Sequence, residues 1–176
     1  MDKAIRRYLV MLLFCASSLG QAQDAPNAVI APYIQDLVVV RDDQLVPFKP
    51  DKFLNAPYTV LYFSAGWCPD CRRFSPALVA AYTGQRAGEK RFEVLLLTMD
   101  KTEDAMRRYM SGEKMPWPAL AFAKQENAKD LKKYYSDHGI PCLTVIDPKG
   151  TVVLQSKSDQ DATEVLKELR ELAAKK

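Results

Sequence analysis

The sequence has little cysteine, little histidine and little net charge, and each shortage excludes a class of function. Its 176 residues include four cysteines and one histidine, and the formal net charge is +3. One histidine and a single Cys-x-x-Cys pair are too few donors for the usual four-ligand zinc site, so we predict no metal. No stretch is both basic and aromatic, which argues against nucleic acid as a partner.

The apolar run at residues 8–16 is too short to span a bilayer, which takes about 20 residues. It follows a basic segment, residues 1–7, and precedes small residues that include Gly20 and Ala22. This order is typical of a secretory signal peptide, which we predict over residues 1–22. A short retained membrane anchor is the alternative. We therefore expect an exported, periplasmic protein.

Removing the predicted signal peptide removes one cysteine and leaves Cys68, Cys71 and Cys142. An odd count suits a disulfide framework poorly and fits one reactive pair plus a spare thiol. The chain has no internal repeat, no low-complexity tract and no sign of a second domain. We predict a flexible lead-in over residues 23–35 and one domain over residues 36–176.

Strand and helix patterns alternate along this domain. Strands are predicted at 37–40 and 45–46 (a hairpin), 58–63, 92–98, 120–122, 143–146 and 151–154. Helices are predicted from residue 69 onward and at 102–110, 126–135 and 161–174. We expect Pro76 to kink the first of these helices, because proline removes an amide donor. The order of elements predicts an α/β domain with a mixed sheet.

The Cys-Pro-Asp-Cys element begins where the buried strand at 58–63 gives way to a helix. Cys68 falls at the helix N-terminus, where free amides and the helix dipole favour an anion such as the thiolate that attacks disulfides. Cys71 lies one turn further on the same face, more buried, where it can attack a mixed disulfide formed at Cys68. Pro69 costs little at a first helical position, whereas the negative charge of Asp70 opposes the thiolate.

Two other interpretations of this pair stay open. It can be half of a zinc site, although no second pair accompanies it and the single histidine, His138, stands alone. It can also be a purely structural disulfide, although it closes too small a loop to constrain the unfolded chain much.

Residues 67–76 resemble the active-site segment of the tryparedoxin and nucleoredoxin branch of the thioredoxin superfamily. Tyr109 and the Met-Pro-Trp segment within residues 115–120 resemble the same branch, and residues 139–141 resemble the loop that carries the superfamily's cis-proline. The likeness extends over residues 37–154. It implies a thioredoxin fold, with a central mixed β-sheet flanked by helices and, here, an N-terminal β-hairpin extension.

The resemblance also implies roles for individual residues. Cys68 would be the nucleophile and Cys71 the resolving thiol. The peptide bond between Ile140 and Pro141 would be cis, with Pro141 packed against the dithiol. The backbone of Ile140 would pair with an extended substrate segment.

Further expectations concern the surroundings of the pair. Trp67 and Trp117 would flank the dithiol and form a flat apolar docking surface. Tyr62 stands where thioredoxin keeps a buried carboxylate, so that proton-transfer role is vacant or passes to Tyr62, a water or Asp70. Cys142 follows the predicted cis-proline, where threonine is common. It is either a small buried residue or an auxiliary thiol that traps or relays a disulfide.

The leading hypothesis is an exported bacterial thiol-disulfide oxidoreductase that reduces protein disulfides. It would need no cofactor beyond its redox-active Cys68–Cys71 disulfide, would be kept reduced by a membrane-borne thiol donor, and would act as a monomer. One alternative is an oxidant or isomerase of disulfide formation, and another is a thiol peroxidase, for which no peroxidatic motif is evident. A third is a thioredoxin-fold binding module with an idle disulfide.

Overall fold

The computed structural model describes residues 27–49, 53–85, 90–157 and 161–175. The predicted signal peptide and the first four residues of the predicted lead-in lie outside this part of the chain. Within it, no helix is long and apolar enough to cross a membrane.

A seven-stranded mixed sheet forms the centre of the domain, with the strand order β2-β1-β5-β4-β3-β6-β7. The strands are β1 (Leu37–Arg41), β2 (Gln44–Pro47), β3 (Tyr58–Ser64), β4 (Phe92–Thr98), β5 (Ala119–Leu120), β6 (Cys142–Ile146) and β7 (Val152–Gln155). Strands β3, β4 and β5 run parallel, and the other neighbouring pairs are antiparallel. The predicted mixed sheet and the N-terminal hairpin β1–β2 are confirmed.

Strand β3 is central because its side chains are apolar on both faces of the sheet. It lies between β4 and β6, and six of its seven residues are buried. Successive side chains alternate between two cores: Val60 and Tyr62 point into one, Leu61 and Phe63 into the other. This alternation decides which side chains can reach the Cys-x-x-Cys element at the end of β3.

In the part of the chain that the structure describes, four α-helices accompany the sheet: α1 (Pro69–Thr83), α2 (Glu103–Gly112), α3 (Lys129–Lys132) and α4 (Ala162–Ala174). Buried residues of α1, α2 and α4 fill the core that contains Tyr62, which we call the first core. Leu131 of α3 and Ile30 from the N-terminal segment pack in the second core, together with Phe63.

The predicted flexible lead-in is wrong for the residues that the structure describes. Residues 27–30 form a turn, and Ala31–Asp36 form a 3-10 helix. Ile30 is fully buried. The side-chain amide of Asn27 donates hydrogen bonds from Nδ2 to Thr59 Oγ1 (3.1 Å) and to the Asp147 backbone carbonyl (3.3 Å). A polar composition suggested a loose segment, but one buried asparagine and one isoleucine fix it to the sheet.

The helix predicted over residues 126–135 is also mostly wrong, since only Lys129–Lys132 is α-helical. Its N-cap residue, Ala128, makes no side-chain capping bond. At the other end, the Tyr134 carbonyl accepts hydrogen bonds from Thr144 Oγ1 (2.7 Å) and Gln155 Nε2 (2.9 Å). The sheet therefore holds this carbonyl group, which a continuing helix would need for itself.

Candidate active site

Cys68 occupies the N-cap position of α1, directly after the loop that leaves β3. Its sulfur accepts a hydrogen bond from the backbone N–H of Cys71 at 3.2 Å. Pro69 is the first residue of the helix. The first amides of a helix have no partner within the helix, and the Cys68 sulfur accepts from one of them. It therefore lies at the positive end of the helix dipole. The N-terminal end of α1 therefore faces the Cys68 sulfur directly.

Cys71 is fully buried in the first core, and its thiol is held in the protonated form. Burial and a hydrogen bond to Cys68 together raise the pKa of Cys71 to about 12, although the effects of Ser64 and the Ala65 backbone act in the opposite direction. The two thiols therefore differ in role: Cys68 is at the helix end near the surface, and Cys71 is a protonated thiol behind it.

The loop before β6 closes the other side of the pair. The Ile140–Pro141 peptide bond is cis, as predicted. The Cys68 thiol donates a hydrogen bond to the Ile140 carbonyl oxygen, with a sulfur–oxygen distance of 3.5 Å. The structure thus brings Cys68, Ile140 and Pro141 together from segments more than 70 residues apart in the chain.

Trp67 is the exposed aromatic residue beside the dithiol, with 58% of its surface accessible. Its indole N–H donates to the Met99 carbonyl at 3.0 Å, which fixes the ring despite its exposure. A groove of about 790 Å³ runs beside it, and its lining includes the basic side chains of Arg72, Lys101 and Arg108. Trp67 therefore presents a rigid apolar face at the entrance to the pair.

Asp70 points away from the sulfur atoms, since it is exposed and forms an ion pair with the exposed Arg73. Neutralised in part by this partner, its carboxylate opposes a thiolate at Cys68 less than its position in the motif suggests.

The predicted surface role of Trp117 is wrong. Trp117 is fully buried in the first core and packs edge-on against Tyr82 (ring centroids 5.5 Å apart) and Tyr62 (6.4 Å). It follows Met115, which is also buried, in a segment that enters β5. The buried indole ring is therefore not accessible to a docking partner.

Cys142 lies on the opposite face of the sheet from the dithiol. It pairs in register with Phe63 and shares the second core with it, whereas Cys68 and Cys71 belong to the first core. Its side chain is 1% exposed, and its sulfur lies 3.4 Å from Ser136 Oγ. This placement matches a small buried residue better than an auxiliary thiol.

Sequence reasoning missed a cluster of four buried hydroxyl groups next to Cys71. The members, here called the hydroxyl cluster, are Tyr62, Ser64, Ser75 and Tyr109. Tyr109 Oη lies 2.7 Å from both serine oxygens and 3.2 Å from Tyr62 Oη, and Tyr62 Oη lies 3.0 Å from Ser75 Oγ. The signals were present: Ser64 is a polar residue ending an apolar strand, and Ser75 follows Cys71 by one helical turn.

The side chains that could bind a metal ion lie apart in the part of the chain that the structure describes. There, no three or more histidine, cysteine, aspartate or glutamate side chains are grouped so as to hold a metal ion. His138 is exposed, in the loop before Gly139.

Comparisons with known proteins agree with this geometry. A sequence profile described as thioredoxin-like matches residues 56–152, more than half of the chain. Nucleoredoxin from Xenopus laevis is 34% identical over 116 residues, covering 66% of this chain. Tryparedoxin from Trypanosoma brucei brucei is 40% identical over 87 residues, covering 49% of this chain and 58% of its own length.

Among solved structures, native tryparedoxin I from Crithidia fasciculata superposes with a TM-score of 0.59 at 30% identity, covering 85% of this chain and 96% of its own. The predicted thioredoxin fold and the resemblance to tryparedoxins and nucleoredoxins are thereby confirmed. The chain spans only about a quarter of the Xenopus nucleoredoxin, 27% of its length.

Proposed function

The chain belongs to the thioredoxin-like family of thiol-disulfide oxidoreductases, and on that premise we propose that it reduces disulfide bonds in proteins outside the bacterial cytoplasm. The observation that carries the proposal is the asymmetry of the pair. Cys68 is the N-cap residue of α1 and follows the exposed Trp67. Cys71 is buried one helical turn further along, and its backbone N–H donates a hydrogen bond to the Cys68 sulfur.

The first step uses Cys68 as the nucleophile. Its thiolate attacks one sulfur of the substrate disulfide, which forms a mixed disulfide with Cys68 and releases the other substrate sulfur as a thiolate. The helix N-terminus stabilises the attacking anion. Cys71 remains a protonated thiol at this stage and does not compete as a nucleophile.

The second step uses Cys71. The hydrogen bond between Cys71 and Cys68 helps to keep Cys71 protonated. This hydrogen bond is lost once the Cys68 sulfur is bonded to the substrate. Cys71 then attacks the Cys68 sulfur, a Cys68–Cys71 disulfide forms, and the second substrate sulfur leaves. The substrate gains two electrons and two protons, and an external dithiol donor must return them to the protein.

The substrate would dock across Trp67 and the cis-proline loop. Trp67 is held by its hydrogen bond to Met99, so its exposed ring loses little entropy on contact. The Ile140 carbonyl accepts a hydrogen bond from Cys68, and the Ile140 backbone would pair with an extended segment around the substrate disulfide. We expect a protein disulfide as substrate because Trp67 presents a large exposed apolar ring beside the pair.

The reducing direction is the finer part of the proposal. Strong oxidants have a reduced form stabilised as a thiolate. Here the buried Cys71 is held as a thiol. The reduced form therefore gains less stability from a thiolate than it does in a strong oxidant, which favours a reductant.

The reduction potential of the Cys68–Cys71 pair tests this direction. The protein is equilibrated in thiol buffers, alkylated, and analysed by mass so that each cysteine is counted separately. A value near that of thioredoxin, about −270 mV, supports a reductant. A value near about −120 mV contradicts it and assigns an oxidant, the alternative of disulfide formation.

Turnover of a protein disulfide, with dithiothreitol as the donor, tests the enzymatic role. We expect Cys68→Ser to abolish turnover, and Cys71→Ser to accumulate a mixed disulfide with substrate at Cys68, because the second step is lost. Binding of a protein partner without turnover in the unmutated chain would favour the binding-module alternative instead.

Export is proposed from the sequence pattern at residues 1–22. The intact chain, expressed in a bacterium with two membranes, should be recovered from the periplasm with a mass that corresponds to cleavage after Ala22. A membrane-borne dithiol would be the natural donor in that compartment. Recovery from the membrane fraction at full mass would instead support the retained anchor.

A further inference from the structure

The hydroxyl cluster lies where the second step takes place. Ser75 Oγ donates to the Cys71 carbonyl at 2.8 Å, which ties the cluster to the backbone of the resolving cysteine. Ser64 Oγ, which lies 2.7 Å from Tyr109 Oη in this cluster, also acts on the Cys71 thiol and lowers its pKa. All four hydroxyl-bearing residues are buried, so these contacts do not compete with bulk water.

Counting protons shows that the cluster has more contacts than donors. Each hydroxyl carries one proton, and Ser75 uses its own on the Cys71 carbonyl. The protons of Tyr62, Tyr109 and Ser64 remain for the four contacts within the cluster and the one to Cys71. The cluster therefore has more than one complete arrangement of hydrogen bonds.

Two of these arrangements differ in what Ser64 does. In the first, Ser64 donates to Tyr109, and Tyr109 and Tyr62 both donate to Ser75. In the second, Tyr62 donates to Tyr109, Tyr109 donates to Ser64, and Ser64 donates to the Cys71 sulfur. Every hydroxyl keeps one acceptor in both arrangements, so the change leaves no buried donor unsatisfied.

We propose that Ser64 is a positioning residue for the second step, and that it turns its hydrogen bond from Tyr109 to the Cys71 sulfur as Cys71 becomes the attacking thiolate. Tyr109 supports this change by donating to Ser64 in turn. The inference rests on the proposed function, because it assigns groups that assist the resolving cysteine of that reaction.

The surroundings of Cys71 explain why such a hydrogen bond matters. The titratable groups that act on it are Cys68 from the start of α1, Tyr109 from α2 and Tyr135 from the segment after α3. Burial raises the pKa of both tyrosines, so they remain uncharged. Among the residues that the structure describes, hydrogen bonds rather than an ion pair therefore supply the stabilisation of a Cys71 thiolate.

The step is balanced without a further reagent. The Cys71 thiol and the Cys68 mixed disulfide become the Cys68–Cys71 disulfide and the substrate thiol. The Cys71 thiol loses its proton to water when the thiolate forms, and the departing substrate sulfur takes up a proton from water. Each cluster hydroxyl has one proton before and after, and Ser64 returns to Tyr109 once the sulfur is no longer an anion.

The two steps can be observed separately with one equivalent of 5,5′-dithiobis(2-nitrobenzoic acid) and the fully reduced protein. The first coloured thiolate is released by Cys68, at a rate that depends on the concentrations. The second is released by Cys71, at a rate that does not. A chain that never shows the first phase contradicts the proposed function, whereas the inference concerns the second phase alone.

We expect Ser64→Ala to slow the second phase about tenfold at neutral pH, as loss of a hydrogen bond to a charged group does. Its rate against pH should be displaced to higher pH, because the hydrogen bond that lowers the pKa of Cys71 is removed. The first phase should be unchanged. Tyr109→Phe should slow the second phase by a smaller factor, since Ser64 remains but loses its supporting donor.

The double variant separates a switch from simple loss of packing. Because Tyr109 acts through Ser64, Ser64→Ala with Tyr109→Phe should be no slower than Ser64→Ala alone. Tyr109→Phe keeps the ring that packs on Gly66, so it tests the same switch if Ser64→Ala does not fold. The matched control is Tyr82→Phe, which removes a buried tyrosine hydroxyl that bonds Glu93 outside the cluster and should leave both phases unchanged.

The inference is overturned if Ser64→Ala leaves the second phase unchanged or slows both phases equally. It is also overturned if Tyr109→Phe slows the second phase further in the Ser64→Ala background, or if Tyr82→Phe slows it as much as Tyr109→Phe.

Discussion

At the scale of single residues, the face of the sheet decides what a side chain can do. Cys142 directly follows the cis-proline, and sequence proximity to that loop suggested a third thiol near the reactive pair. Side chains of β6 alternate between the two faces of the sheet, and Cys142 points into the second core, on the face opposite Cys68 and Cys71. Proximity along the chain was visible in the sequence, but the face required knowledge of the register with β3.

We expect Cys142→Ser to keep disulfide turnover within about twofold of the unmutated protein, with a stability loss of about 1 kcal/mol from burying a hydroxyl. The serine can hydrogen-bond Ser136, which lies beside the cysteine sulfur. Turnover and urea unfolding measure the two effects. A loss of turnover comparable to that of Cys68→Ser would restore the auxiliary-thiol hypothesis.

Trp117 shows the same limit for aromatic residues. Both tryptophans flank proline-containing motifs in the sequence, and composition does not distinguish an exposed ring from a buried one. Only the packing of Trp117 against Tyr62 and Tyr82 assigns it to the core. Cys68, Cys71, Ile140 and Pro141 were predictable because each belongs to a motif whose local geometry is set by neighbouring residues.

At the scale of elements, strands and long helices were predictable and short irregular ones were not. Strand β4 begins and ends at the predicted residues, 92 and 98, because its run of apolar residues is buried on both faces. Helix α4 begins after its N-cap, Asp161, whose side chain accepts from the amides of Thr163 and Glu164. The segment 126–135 has neither a cap nor a continuous apolar face, so contacts with β6 and β7 determine its path.

The contact between the active-site loop and α2 is the element-scale feature most sensitive to substitution. A Cβ at Gly66 would lie 2.9 Å from Tyr109 Cβ, and neither atom belongs to a flexible chain end. We expect Gly66→Ala to cost about 1–3 kcal/mol of stability through overpacking. Turnover should fall as well, because the loop that carries Trp67 must move. Urea unfolding and disulfide turnover measure the two effects.

Gly112 in α2 provides a matched control, because a Cβ there meets no atom within 4 Å. Gly112→Ala should be neutral or stabilising by up to about 1 kcal/mol, with unchanged turnover. Equal effects of the two substitutions would contradict the close approach at Gly66.

At the scale of the whole molecule, the two ends of α1 carry separate chemistry. The dithiol and the hydroxyl cluster lie at its N-terminal end. Near its C-terminal end, Tyr82 donates to the buried carboxylate of Glu93 at 2.5 Å, and Lys90 lies 3.0 Å from the same carboxylate. Stability and redox chemistry can therefore be changed independently, which gives a test on the scale of the domain.

Burial raises the pKa of Glu93 above its ordinary value of 4.5, despite the opposing effects of Tyr82 and Lys90. A raised carboxyl pKa means that the folded state prefers the protonated form, so this stabilisation is complete below pH 4.5 and is lost as the pH rises through the folded-state pKa. Glu93→Gln removes the titration. The free energy of unfolding of the unmutated protein, minus that of Glu93→Gln, should therefore decrease from acidic to neutral pH.

Urea unfolding of both proteins across that pH range measures this difference, with the exposed Glu126→Gln as the control for loss of a surface carboxylate. Disulfide turnover at neutral pH should be the same in all three proteins. Glu93, in β4, contacts α1 near its C-terminal end, whereas Cys71 lies near the N-terminal end. A difference that stays constant or grows with pH would mean that Lys90 and Tyr82 outweigh burial. A change in turnover would mean that the two ends of α1 are coupled. The hydroxyl cluster would then be the path to examine, because its member Tyr62 lies in the same core as Tyr82.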